Sequence, residues 1–176
     1  MKFRTVLTIA VICFFAVGCK SKMALDYNNM VVQNQQTLAK SMDQTEPQLK
    51  DYFANHQYDS IAAVSTRMET KIDSIIHNIQ QKRVPEVKQG ANFKKAALNY
   101  FGYMKTIYTS YKNYGNETTP EGRIIGLEVI SRVTNEEDKV IADMQQAQRI
   151  FAKDNGFKIK SATQKGNGSL TASPPK

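Results

Sequence analysis

Apolar residues return every three or four positions along most of the chain, a periodicity typical of amphipathic α-helices. The clearest example is a predicted helix that starts at a cap formed by Asp59 or Ser60 and runs to about Lys82. Its apolar face is formed by Ile61, Val64, Met68, Ile72, Ile75 and Ile79. Spacing of this kind is typical of helix faces that pack against each other in a bundle. We therefore expect this apolar stripe of six side chains to lie in the core.

The segment before this helix predicts two further elements. A first helix is expected over 26–42, with one face formed by Tyr27, Val31, Asn34, Leu38 and Met42. Thr45-Glu46-Pro47 is expected to break the chain and start a short second helix, because a proline in the first turn loses no hydrogen-bond partner. This short helix should end near Asn55-His56.

Two long helices are predicted in the second half. One runs from an Asn92 cap to about Tyr114, where Gly115 ends it, and the other spans 120–152 and stops at Asn155-Gly156. No stretch of useful length alternates apolar and polar residues as a strand does. Short links between long helices favour antiparallel neighbours. The predicted fold is therefore an all-α, up-and-down antiparallel helical bundle of three long helices plus one short, broken helix.

Tyrosines are concentrated in the helix that begins at Asn92. They are Tyr100, Tyr103, Tyr108, Tyr111 and Tyr114. Rings with polar tips suit the binding of sugars or peptides. Four of the five lie on or beside the apolar stripe, however, so we expect core packing for these and an outward position only for Tyr103.

The first 18 residues have the three parts of a secretory signal peptide. Lys2 and Arg4 give a basic start, an apolar run follows over 6–17, and small residues precede Cys19. The run is shorter than the ~20 apolar residues that span a bilayer. We therefore expect a cleaved signal over 1–18, with an uncleaved anchor helix as the alternative.

The end of this segment, Ala16-Val17-Gly18-Cys19, resembles the lipobox of bacterial lipoproteins. The resemblance implies cleavage between Gly18 and Cys19, followed by acylation of Cys19 and anchoring in membrane lipid through several chains. One acyl chain alone binds a membrane reversibly, whereas two or more signals give a stable anchor. Ordinary signal cleavage that leaves Cys19 as a free thiol is the alternative.

Three regions are expected after the signal. Residues 19–25 should form a short tether, and residues 26–159 should form the helical bundle domain. Residues 160–176 are small and polar apart from a single leucine. They can bury too little apolar surface to offset the entropy of ordering, so we expect a disordered tail.

Maturation would leave Cys19 as the only cysteine, so no disulfide can form within the chain. Loss of Lys2 and Arg4 would leave 22 basic and 16 acidic residues, a net charge of +6. The basic residues are spread along the sequence, without the clustered charge and aromatic platforms typical of nucleic-acid binding. We therefore expect no nucleic-acid partner.

Three stretches of the predicted bundle, over 27–32, 93–101 and 148–157, resemble a family of small helical bacterial surface lipoproteins of the spirochaete and Bacteroidota type. The resemblance implies a lipid-anchored protein of the outer membrane. The stretches consist of packing and capping residues, so the resemblance assigns no site. Lys20 and Lys22 stand where many exposed Bacteroidota lipoproteins carry acidic residues, so the periplasmic and surface faces both remain open.

The sequence offers little catalytic chemistry. Glu69, Asp73 and His77 share one helix face at a spacing that suits metal ligands, but no ligand from a second element is identifiable, so we expect no metal site. No zinc-protease, phosphate-loop or nucleophile-elbow motif is present. We therefore expect no enzyme and no cofactor, but a binding or structural role with an envelope protein or glycan as partner. The alternative is a small-ligand or metal-binding module with a pocket between helices.

Two serines are candidates for O-glycosylation. Asp59-Ser60-Ile61 and Asp73-Ser74-Ile75 match the loose Asp-Ser/Thr-apolar acceptor pattern of the Bacteroidota. Asp59-Ser60 also suits a helix cap. We therefore treat glycosylation of Ser60 and Ser74 as a hypothesis.

Overall fold

The computed structural model describes residues 3–159, with side chains from Lys20 onward. The predicted disordered tail, residues 160–176, lies outside the described residues. The described chain forms helices and no strand; the helices are α1 (Phe3–Ala54), α2 (Tyr58–Gln81), α3 (Gly90–Asn116), α4 (Pro120–Thr134) and α5 (Glu137–Asp154).

The helices pack as an up-and-down bundle, which confirms the predicted all-α fold. α2 and α3 form the most extensive contact, α1 packs on α2 and α5, and α3 also contacts α4 and α5. α4 and α5 together occupy the fourth position of the bundle, because they follow one another with only Asn135-Glu136 between them. Short connections make α2 run back along α1, α3 along α2, and the α4–α5 pair along α3.

The core has two parts. The larger cluster joins α1, α2, α3 and α4, and it contains the whole predicted stripe of α2, in which every side chain is at most 5% exposed. The smaller cluster consists of Ala24, Tyr27, Val31, Phe93, Ala97, Met144 and Phe151. Met30 and Tyr100 pack against both clusters and connect them.

The predicted break at Pro47 is wrong, because α1 continues through this residue to Ala54. Pro47 has no N–H to donate to the carbonyl of Asp43, so the helix lacks one hydrogen bond there. Met42 and Leu49 lie seven residues apart on the buried face. Burial of one continuous apolar stripe therefore outweighs the local cost of the proline.

The last helix, predicted as one element over 120–152, is instead divided at Asn135-Glu136. The backbone N–H of Glu136 bonds to the carbonyl of Val133 at 3.2 Å, which closes the end of α4. The acidic residues Glu137 and Asp138 then start α5, where negative charge stabilises a helix N-terminus. The broken helix of the predicted bundle is thus the last one.

In the described part of the predicted tether, residues 20–25 belong to α1. Ala24 is fully buried and packs in the smaller core cluster. α1 thus contributes to the core from Ala24 onward. The bundle therefore begins before the predicted boundary at Asp26.

Several predicted helix starts shift toward the N-terminus. α2 begins at Tyr58 and α3 at Gly90, ahead of the caps predicted at Asp59 or Ser60 and at Asn92. Gly115 does not end α3, which continues to Asn116; an added Cβ at Gly115 would lie 2.6 Å from the backbone of Ala62, so this glycine permits close packing on α2.

Two predicted termini are confirmed. Pro120 is the first residue of α4, and the Thr119 hydroxyl accepts a hydrogen bond from the N–H of Gly122 at 3.0 Å. At the end of α5, Gly156 has a φ of 72°, and the N–H of Phe157 bonds to the carbonyl of Ala152 at 3.1 Å. This is a Schellman motif, and it turns Phe157 back onto the bundle.

Candidate functional site

The predicted lipidation site lies outside the described side chains. The structure gives the backbone of residues 3–19 as part of α1 but no side chain before Lys20, so the environment of Cys19 and of the Gly18–Cys19 cleavage point stays a prediction. Among the described residues, no helix combines the length and apolar character needed to span a membrane.

We call the end of the bundle that contains residues 20–27, 74–97 and 147–159 the proximal end, because it lies nearest Cys19 along α1. The opposite end, which contains residues 47–65 and 109–127, is the distal end. α1, α2, α3 and the α4–α5 pair each run from one end to the other.

The three stretches that carried the family resemblance meet at the proximal end. Phe93 and Phe151 stack with ring centroids 4.6 Å apart, and Tyr27 packs edge-on to both at 6.1 and 6.4 Å. Phe157 packs edge-on to Phe151 at 5.8 Å. The stretches therefore form one aromatic cluster, so their spacing reflects packing of α1, α3 and α5.

Two polar groups accompany this cluster. The Gln148 amide donates a hydrogen bond to the side-chain oxygen of Asn28 at 2.9 Å, which ties α5 to α1. The hydroxyl of Tyr27 is buried without a hydrogen-bond partner, and burial raises the pKa of Tyr27. The phenol is therefore held in its neutral form inside an apolar environment.

An ion pair between a buried carboxylate and a half-buried lysine joins α2 to α3. Glu69 is 7% exposed, accepts a hydrogen bond from Lys112 at 2.5 Å, and accepts another from the Thr109 hydroxyl. Burial favours the neutral acid, but the hydrogen bonds from Lys112 and Thr109 outweigh it, and the pKa of Glu69 is lowered. This carboxylate is fully engaged in holding the two helices together.

The predicted helix face of Glu69, Asp73 and His77 does not converge on one point. Glu69 binds Lys112, Asp73 pairs with Lys105 at 2.7 Å, and His77 is exposed to solvent. Within residues 20–159, no group of three or more acidic, histidine or cysteine side chains could hold a metal ion. The carboxylates of this face therefore serve packing between α2 and α3.

The tyrosines of α3 lie beside carboxylates from two other helices. Tyr108, Tyr111 and Tyr114 are buried, as predicted. Burial, followed by the charges of Asp43 and Glu137, raises the pKa of Glu46 to about 7. A carboxyl group with a pKa of about 7 changes its protonation near neutral pH.

Glu137 belongs to the same region. Burial and then the charge of Asp138 raise the pKa of Glu137. Burial and then the charge of Glu137 raise the pKa of Tyr100 to about 12. Burial in this region therefore favours the neutral forms of Glu46, Glu137 and Tyr100.

The outward position predicted for Tyr103 is wrong. Its hydroxyl donates a hydrogen bond to the carbonyl of Val133 at 2.7 Å, and its ring packs against the larger core cluster. Val133 lies in the last turn of α4, where backbone carbonyls lack the N–H partners that a following helical turn would supply. The helix break that supplies this acceptor has no periodicity signal in the sequence.

A cavity of about 480 Å³ opens at the distal end. The guanidinium of Arg123 lies 3.6 Å above the ring centroid of Tyr58, and both residues line the cavity. Glu117, on the rim, accepts hydrogen bonds from the N–H groups of Thr118 and Thr119 at 2.9 and 3.0 Å. Most of the lining is polar, which suits a small hydrophilic ligand.

The candidate glycosylation sites have different surroundings. Ser60 is half-buried and lines the distal cavity, whereas Ser74 is exposed in the C-terminal third of α2. The hydroxyl of Ser74 donates to the carbonyl of Thr70 at 3.0 Å. The structure brings the two serines to separate places, and their modification stays a hypothesis.

α4 leaves an apolar face open to solvent. Ile124 and Ile125 are each 61% exposed and Val129 is 37% exposed, whereas Ile130 is the buried residue of this helix. Large exposed apolar side chains that lie together mark interaction surfaces more often than isolated ones do. Sequence periodicity did not predict this exposed face, because residues 120–152 were expected to form one continuous helix that packs along its whole length.

The fold and these sites define an all-α bundle with a structural ion pair, a distal cavity and an exposed apolar helix face. No protein-family profile matches the chain, and no curated protein or solved structure shows detectable similarity to it.

Proposed function

We propose that this chain is a lipid-anchored protein of the bacterial outer membrane whose helical bundle binds a protein partner without catalysing a reaction. The observation that carries the binding role is the exposed apolar face of α4, formed by Ile124, Ile125 and Val129. Acidic and basic residues flank it at Glu128 and Arg132. An apolar patch with a polar rim suits a partner that presents apolar side chains.

Crosslinking in the native envelope followed by mass spectrometry tests this face. We expect one dominant protein partner with the wild-type chain and its loss in a variant with Ile124→Lys and Ile125→Lys. The control carries Gln36→Lys and Ala39→Lys, two exposed positions of α1 that add the same charge. Recovery of no dominant partner, or equal recovery with the α4 variant, would contradict the proposal.

The anchor rests on the signal-like segment and on Cys19. Acylation of this thiol would hold the mature chain in the membrane through several buried chains, each methylene contributing about 0.8 kcal/mol. We expect Cys19→Ala to move the protein into the soluble fraction of the envelope. Cys13→Ala, which changes a residue of the segment that would be removed, should leave the protein in the membrane fraction. Retention of the Cys19→Ala protein in membranes would overturn the anchor.

A second candidate function, small-ligand binding, is favoured by the distal cavity and its stacked Arg123 and Tyr58. A ligand that binds only the folded state raises the melting temperature. Small sugars and peptides that bind in the cavity should stabilise the wild-type chain and not the Arg123→Gln variant. Equal stabilisation of both proteins would place the ligand elsewhere.

A further inference from the structure

The fold concentrates positive charge at the proximal end, although the basic residues are spread along the sequence. Residues 20–27, 74–97 and 147–159 contain three acidic side chains, Asp26, Glu86 and Asp154. The same residues contain ten basic side chains: Lys20, Lys22, Lys82, Arg83, Lys88, Lys94, Lys95, Arg149, Lys153 and Lys158. The remaining residues of the range 20–159 contain nine basic and thirteen acidic side chains. The described bundle is therefore positive at one end and negative over the rest.

The proximal end also lies next to the predicted anchor. α1 is continuous through this region, and Ala24, five residues after Cys19, is already fully buried in the core. At 1.5 Å per residue, these five residues place Cys19 roughly 8 Å along the helix axis from Ala24. A membrane anchor at Cys19 would thus hold the basic end close to the lipid surface.

Two exposed large apolar side chains, Met23 and Ile150, lie at this end, and Ile150 is 39% exposed. Met23 is 45% exposed and lies directly after Lys22 in α1. Amphipathic surfaces bind bilayers when apolar side chains enter the headgroup boundary and basic residues surround them. Lys94 contributes less than its neighbours, because its ammonium already binds the carbonyls of Gln80 and Lys82 at 2.7 and 2.9 Å.

We propose that the proximal end is a docking surface for the anionic phospholipid headgroups of the membrane that holds the anchor. The proposal rests on the proposed lipid anchor for its biological setting. Each Lys or Arg near an anionic bilayer strengthens binding by about 5-fold at low salt, and the attraction fades beyond a Debye length of about 8–10 Å. Docking fixes the bundle upright and directs the distal cavity away from the lipid.

Vesicle sedimentation tests the surface without the lipid anchor. The probe is a bilayer of phosphatidylcholine with or without phosphatidylglycerol, and the protein is the chain 19–176 with Cys19→Ser, which keeps every residue of both core clusters. We expect binding only with phosphatidylglycerol and its loss when salt rises from about 0.05 M to about 0.5 M. Absence of binding at low salt would overturn the proposal.

Matched triple variants locate the surface. Substitution to Ala of the exposed lysines Lys88, Lys95 and Lys153 should weaken binding roughly 10- to 100-fold. The control replaces the exposed lysines Lys40, Lys50 and Lys139, which removes the same charge away from the proximal end. Equal losses in both variants would show attraction by net charge alone and would overturn the assignment.

A third variant separates the proximal end from the tail, whose lysines Lys160, Lys165 and Lys176 are also basic. Their substitution to Ala should leave binding within about 3-fold of wild type if the folded end carries the contact. A loss as large as that of the proximal variant would assign docking to the tail instead. Fractionation of Cys19→Ala tests the anchor separately, so failure of one proposal is distinguishable from failure of the other.

Discussion

Glu69 keeps its charge inside the bundle because Lys112 and Thr109 donate hydrogen bonds to it. Lys112→Met removes the counter-charge and leaves a carboxylate that is only 7% exposed. We expect this variant to lose about 1–3 kcal/mol of unfolding free energy at pH 7 in urea titrations, since an uncompensated buried charge is costly.

A control variant and the pH dependence show whether the loss of the charge pair causes the change in stability. Lys105→Met breaks the more exposed pair with Asp73 and should cost less than about 0.5 kcal/mol. The pKa of Glu69 is lowered below its usual 4.5, so its stabilising effect is present above pH 4.5 and disappears as pH falls through the folded-state value. The penalty of Lys112→Met should therefore shrink toward pH 3. An equal penalty at both pH values would show that Lys112 acts through packing.

The limits of sequence inference are clear at individual residues. Spacing correctly placed Glu69, Asp73 and His77 on one helix, but their partners Lys105 and Lys112 lie on α3, more than thirty residues away. Such pairings depend on how two helices rotate against each other. No local pattern reports that rotation, so a face that looked suitable for metal proved to be an interhelical contact.

Replacement of Pro47 tests whether α1 is one continuous helix. A proline inside a helix removes a hydrogen bond and costs about 3 kcal/mol relative to alanine. Proline also restricts the unfolded chain, which reduces the entropy lost on folding and stabilises the folded state by about 0.4–1 kcal/mol. Because Pro47 is exposed, we expect Pro47→Ala to raise the free energy of unfolding by about 2 kcal/mol.

The measurement is chemical unfolding followed by circular dichroism, with Gln44→Ala as a control at an exposed position one turn earlier. The control should change stability by less than about 0.5 kcal/mol. If Pro47 instead stood at the start of a separate helix, its removal would be neutral or destabilising. That outcome would restore the broken first helix predicted from sequence.

Sequence periodicity predicted where helices lie better than where they end. The stripe of α2 was identified correctly because six apolar residues repeat over five turns and no alternative pattern competes. The break predicted at Pro47 does not occur, and the break at Asn135-Glu136 was not predicted. Proline is a strong local signal that continuous burial can override. At the end of α4, the carbonyl of Val133 accepts hydrogen bonds from the N–H of Glu136 and from the Tyr103 hydroxyl of another helix, and no local pattern reports the second contact.

At the scale of the whole molecule, the fold makes the two ends of the bundle different, although the basic residues are spread along the sequence. The basic residues gather at the proximal end, and the cavity and the exposed face of α4 lie toward the distal end and along the side. One end suits a negatively charged lipid surface and the other surfaces suit ligands or proteins. The same polarity could not be read from composition, because it arises only when α1, α2, α3 and α5 are brought side by side.

Both core clusters should unfold together, because Met30 and Tyr100 pack against each of them. Among the eight tyrosines only Tyr27 belongs to the smaller cluster, so near-ultraviolet circular dichroism reports mainly on the larger one. We expect Phe93→Ala, in the smaller cluster, to lower stability by about 3–5 kcal/mol and to shift the tyrosine and far-ultraviolet transitions equally. Lys40→Ala, on the exposed face of α1, should shift neither. A tyrosine transition that stayed at its wild-type midpoint in Phe93→Ala would show that the proximal end unfolds on its own, and the bundle would then consist of two units rather than one.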